Sequence, residues 1–166
     1  MGVTGWRTTL AWTQFRTVQN APAGVNEDAQ TEAAIEAPAQ VSIQPDGSQL
    51  KLANFNVRVR IVPIGTWVVR GKSSASLLTH EQGHWDIAGL SAHEYHRALA
   101  ALRAADRDSL AQQAADALQS NQTKVDALQV KYDRETNNSR NASEQTRWNN
   151  LISACIRNNN AALPDP

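Results

Sequence analysis

The stretch SLLTHEQGHWDIAGL, residues 76–90, sets His80, Glu81 and His84 in the order H-E-x-x-H inside a neutral, helix-prone segment. Four residues along an α-helix make about 400°, so His80 and His84 project from one face, one turn apart. Two imidazole nitrogens placed this way can meet one zinc ion at about 2.0–2.1 Å each. Glu81 lies about 100° round the helix, within reach of a water activated by the cation yet outside its ligand shell. Zinc draws the pKa of such a water toward about 7, and the glutamate takes its proton and passes it to a leaving amine. The competing reading is a solvated helix face with a chance spacing. Against it, Trp85, Ile87 and Leu90 beside the motif predict a helix packed in the core, where a polar trio needs partners that a metal would satisfy.

Outward from the motif, the pattern changes near residue 72. Upstream, FNVRVRIV (55–62) alternates Phe55, Val57, Val59 and Ile61 with Asn56, Arg58, Arg60 and Val62, the period of a half-buried strand. TWVVR (66–70) reads as a second strand, while RTTLAWTQF (7–15) and AQVSIQ (39–44) are weaker ones. Pro45-Asp46-Gly47 signals a turn, and NAPAGVNEDAQ (20–30) a loop. Arg58 and Arg60 belong to the polar face of their strand; were it an edge beside the motif, they could select acidic residues of a paired peptide.

Downstream the periodicity is helical. The serines of KSSAS (72–76) offer N-caps for a helix running to about residue 105, and DRDS (106–109) interrupts it. A second helix covers about 109–135, NNSRN (137–141) interrupts again, and ASEQTRWNNLISACI (142–156) forms a third. The tail NNNAALPDP (158–166) is expected to fray. The whole, 1–166, reads as one α+β domain, β-rich over 6–70 and helical over 73–158.

Composition narrows the classes. Sixteen basic residues balance sixteen acidic ones, so neither nucleic acid nor anionic lipid is favoured as a partner. No apolar run approaches the roughly 18 residues of a membrane helix. The opening MGVTGWRTTLAW has no apolar core of a signal peptide. A lone Cys155 excludes an intrachain disulfide and a cysteine zinc knuckle.

A zinc site needs a further protein ligand. His93, Glu94 and His96 lie nine to twelve residues past His84, about 13–18 Å along the axis, too far to join it. The longer signature H-E-x-x-H-x-x-G-x-x-H fails at Ile87 and Leu90. The ligand must come from another element, and the 125–145 region offers Asp133, Glu135, Asn138 and Glu144.

With these residues in view, the chain resembles a bacterial family of zinc-dependent proteases of uncharacterised function, marked by H-E-Q-x-H-F-D-I. Its opening W-x-x-F matches Trp12 and Phe15, its A-x-T matches Ala29 to Thr31, and its S-W-V is similar to Thr66, Trp67 and Val68. LLTHEQGHWDIA follows the central motif with Trp85 in place of Phe. Tyr132, Asp133, Thr136, Gln145 and Trp148 match a downstream Y-D-x-x-T-x-H-G and Q-x-x-W. Two positions depart: the family's His-Gly is Asn138-Ser139, and an acid five residues past the second motif histidine is Gly89.

The resemblance implies a zincin-like fold, with a twisted sheet over 6–70 packed on the motif helix. It implies Zn²⁺ held by His80, His84 and either Asp133 or Asn138, with Glu81 as general base. Asp133 is favoured over Asn138, since an amide oxygen suits zinc poorly. Tyr132 is a candidate to steady the oxyanion or, equally, a core tyrosine. The implied activity is peptide-bond hydrolysis on a peptide or protein substrate, in the periplasm or outside the cell. The alternative is a binding or assembly protein on the same scaffold with degraded catalysis, which Asn138 and Gly89 motivate. Asp86 could orient a ligating imidazole, and Trp12, Trp67 and Trp148 read as core anchors.

Overall fold

A computed structural model describes residues 2–164. Its helices, α1 (Ala75–Ala101), α2 (Arg107–Thr136) and α3 (Ala142–Arg157), follow eight short strands, an α+β arrangement. The strands do not form the one twisted sheet expected over 6–70. They make two three-stranded sheets and a separate hairpin.

In one sheet, β1 (Val3–Thr4) runs parallel to β7 (Val57–Ile61), and β4 (Ala33–Glu36) pairs antiparallel on its other side. The alternation in β7 is borne out: Val57 and Val59 are buried, while Arg58 and Arg60 face outward. Because β7 is central, it is not the edge strand considered from the sequence; its arginines pair with Glu36 of β4 across the sheet. In the other sheet, β2 (Arg16–Val18) runs parallel to β8 (Trp67–Val69), and β3 (Ala29–Gln30) lies antiparallel to β8. Trp67 is buried and donates its indole N–H to Gln30 Oε1 at 3.1 Å.

The hairpin pairs β5 (Ser42–Asp46) with β6 (Gln49–Ala53). The expected turn is displaced by two residues: Pro45 sits inside β5, opposite Leu50, and Gly47-Ser48 makes the loop with Gly47 at φ 65°. A two-stranded ribbon has only edges, so a residue without an N–H is tolerated there. The expected strand over 7–15 is instead irregular, with a single 3-10 turn at Trp12–Gln14. Side chains replace the ladder: Gln82 of α1 accepts from Leu10 N at 2.8 Å, and Gln14 from Ala11 N at 2.8 Å.

Each helix begins at a polar cap. Ser74, Asp106 and Asn141 accept backbone N–H groups of Leu77, Ser109 and Glu144. DRDS therefore starts α2 rather than merely ending α1, which stops at Ala101 because Ala104 pairs with Leu50 of β6. α1 is buried on both sides. One side meets Val57, Val59 and Phe55 through Trp85, Tyr95 and Leu99, and the other meets Leu128, Tyr132, Trp148 and Ile152 through Ile87 and Leu90. Each such large apolar side chain contributes about 1.5–3 kcal/mol when buried. The tail is not frayed as far as it is described: Leu163 is buried, and Arg97 donates to the Asn160 carbonyl at 3.0 Å; residues 165–166 lie outside the described chain. No helix among the described residues is long and apolar enough to cross a membrane.

Candidate metal centre

α1 and α2 run antiparallel, so the C-terminal turns of α2 lie on the N-terminal half of α1. Lys124 reaches Glu94, Gln129 reaches His84, and Tyr132 reaches His80. This places Asp133 over the histidine pair. His80 Nε2 and His84 Nε2 are 3.2 Å apart, and Asp133 Oδ1 lies 3.2 Å from the first and 2.8 Å from the second. Donor atoms of these residues all fall within 4.8 Å of one another.

The far side of each ring is fixed by an amide. Gln129 Oε1 lies 2.6 Å from His84 Nδ1, and its Nε2 donates to the His84 carbonyl at 3.0 Å, locking that glutamine's orientation. Gln145 Oε1 lies 3.0 Å from His80 Nδ1, while its Nε2 donates to Tyr132 Oη and Asn149 Oδ1 at 2.6 and 2.9 Å. Both amide oxygens can only accept, so each Nδ1 carries a proton, and in the neutral ring each Nε2 keeps its lone pair for the shared point. Asp133 Oδ1 lies between the rings, within hydrogen-bonding distance of both Nε2 atoms. Three donor atoms thus converge on one point, where Asp133 favours a proton on His84 and a divalent cation such as zinc can take that proton's place.

The electrostatics agree. Burial would lower the His84 pKa, but the Asp133 carboxylate beside it, with Glu81 behind, lifts it to about 9. Burial would raise the Asp133 pKa, yet the two imidazoles hold it at about 2. The pocket therefore attracts positive charge. Glu81 is 1 % exposed and its Oε2 has no partner; burial raises its pKa against the pull of His84.

The remaining candidates take other places. Tyr132 is not free to meet an oxyanion: its hydroxyl donates to the His80 carbonyl at 3.1 Å, accepts from Gln145, and its ring stacks on His80 at 4.7 Å. It holds the site together from behind, and Gly83 admits it, since a Cβ there would lie 2.1 Å from the hydroxyl. Asn138 is turned away from a ligand role. It stands on the loop after α2 and donates its amide to the Asn26 carbonyl at 3.3 Å. Glu135 and Glu144 are held by Arg147, and Glu135 also by the Trp148 indole at 2.8 Å. Trp148, like Trp67, is a core anchor, while Trp12 is only partly buried against the core. His93 and His96 lie against Trp6 and Phe55.

Asp86 does not orient an imidazole. It accepts from the Trp6 indole and from Gln82, each at 3.1 Å, on another face of α1. Gly89 is explained by the same face, where a Cβ would lie 2.1 Å from the Trp6 ring.

A cleft of about 360 Å³ opens beside the group, lined among others by His84, Asp133, Glu27, Thr31 and Ile35. Glu27 was missed from sequence because it sits in the 20–30 loop with no motif around it. Burial and the nearby Asp133 raise its pKa. The loop is pinned by Asn138 on Asn26, and by Lys72 and Arg140 on Asp28 at 3.6 and 3.7 Å. Gln129 likewise had no sequence signal, whereas Gln145 was visible only through the resemblance.

Residues 66–141 match the model of a family described as "Bacterial protein of unknown function (DUF922)". The matched span contains His80, Glu81, His84 and Asp133, and it agrees with a likeness to an uncharacterised bacterial family. No curated protein and no solved structure matches the chain significantly.

Proposed function

We propose that this protein is a zincin-like, zinc-dependent metallopeptidase acting on peptides or proteins in the periplasm or outside the cell. The supporting observation is the convergence of His80, His84 and Asp133, three donors from two helices within 4.8 Å of one another, next to a buried carboxylate. These three would hold Zn²⁺. The cation would supply Lewis acidity, lowering a water's pKa toward about 7 and polarising the scissile carbonyl.

The chain's own residues do the rest. Glu81 takes the proton of the attacking water and returns it to the leaving amine. Its burial and raised pKa suit a group that must hold that proton between the two steps. Gln129 and Gln145 accept from both Nδ1 atoms and so aim both Nε2 atoms inward. β4 ends its sheet, and Ala33 and Ile35 of that strand line the cleft, so an extended substrate can pair with its main chain there.

The alternative of a degraded binding protein rested on Asn138 and Gly89. Asn138 tethers a loop and Gly89 makes room for Trp6, so neither departure removes a donor from the group. The test is Glu81→Gln, with zinc content and peptide hydrolysis measured together. The expected result is about one equivalent of zinc retained and hydrolysis reduced by at least about 10²-fold. Undiminished hydrolysis removes Glu81 from the mechanism, and a wild type that binds no zinc overturns the proposal.

A further inference from the structure

The cleft beside the metal group carries a charge that the hydrolytic machinery does not use. Glu27, Glu32 and Asp126 line it together with Asp133, and no lysine or arginine is among its lining residues. Most acidic side chains elsewhere are neutralised: Asp28 by Lys72 and Arg140, Glu36 by Arg58 and Arg60, Asp46 by Lys51 and Arg103. Among the described residues, Glu27, Glu32 and Asp126 form no ion pair. A divalent cation in the site would not offset them, because Asp133 and Glu81 already balance its charge.

Two further observations point to a ligand. Thr31 is 9 % exposed, lines the same cleft, and its hydroxyl has no hydrogen-bond partner. Ile35 and Val125 give the cleft an apolar surface beside the carboxylates that line it. An aliphatic stem can lie on such a surface while its charged end reaches the acids.

We infer that this cleft receives a lysine or arginine side chain of the substrate adjacent to the scissile bond, with Glu27 and Asp126 as the selecting carboxylates. The inference rests on the metallopeptidase reading and names its substrate class. The stem lies against Ile35 and Val125.

The test uses the full zinc-loaded chain and peptides that differ at one position: lysine, norleucine or glutamate. Binding to Glu81→Gln is measured by calorimetry, and cleavage by wild type is followed in parallel. The lysine peptide is expected to bind roughly tenfold more tightly than norleucine, two carboxylates each giving about three- to fivefold. The advantage should shrink with added salt. The double variant Glu27→Gln, Asp126→Asn should erase the lysine-to-norleucine ratio. Cleavage with equal binding of lysine and norleucine would overturn the cationic preference and leave the peptidase standing. Lysine-selective binding with no cleavage of any peptide would overturn the peptidase and leave a cation-binding cleft. Failure of both readouts would overturn both.

Discussion

Two faces of α1 carry buried or half-buried polar side chains, and they are finished differently. On the face toward Trp6, Asp86 accepts from Trp6 and Gln82, and Gln82 accepts from Leu10 N. Those bonds tie an irregular segment to the helix, with the working atoms paired. On the face toward α2, the Nδ1 atoms are just as carefully paired, yet His80 Nε2, His84 Nε2 and Asp133 Oδ1 are left facing one another. A satisfied network stabilises a fold, whereas donors turned on one point and held together only by a titratable proton form a place that a cation can take.

The contrast can be broken most forcefully by removing a donor. His84→Ala should abolish zinc binding. In wild type, zinc at about a thousand times its Kd should stabilise the fold by about 4 kcal/mol, and the variant should gain nothing. Thermal unfolding with and without zinc measures both; an equal zinc response in the two proteins would show that the histidine face is not the binding face.

Paired glycine substitutions separate the faces at similar steric cost. Gly83→Ala pushes a methyl to 2.1 Å from Tyr132 Oη, and Gly89→Ala to 2.1 Å from the Trp6 ring. Each should destabilise by about 1–3 kcal/mol in chemical denaturation. Only Gly83→Ala should also weaken zinc binding, because the displaced Tyr132 ring stacks on His80. The comparison fails if Gly89→Ala impairs the metal equally. The smallest effect belongs to Asp86→Ala, which strands the Trp6 indole and the Gln82 amide. It should cost about 1 kcal/mol, with zinc stoichiometry unchanged.

How far these features were legible varies with the range over which they are determined. H-E-x-x-H on α1 and the alternation of β7 are local periodicities, and both elements formed where the pattern put them. Asp133 could be narrowed to a short region but not singled out, because its position depends on how α2 crosses α1. Segment 7–15 defeated the pattern since its backbone is bonded by side chains from a distant helix. β6 and β4 were not singled out: QLKLA mixes polar and apolar residues, and AAIE is short, so pairing partners rather than propensity make them strands. Glu27 was invisible because only closure of its loop against Asn138 and Arg140 brings it to the cleft.

Beyond α2, Asn137, Asn138 and Ser139 succeed one another at φ 48°, 48° and 70°. Left-handed backbone costs a side-chain-bearing residue about 1–2 kcal/mol, less for asparagine, and Ser139 adopts it without glycine's freedom. The hand of this turn reverses the chain from α2 into α3 so that Gln145 returns beneath His80. The strain held in these residues is a sign that the return path is fixed by what it delivers, and comfort of the local backbone is subordinate to it.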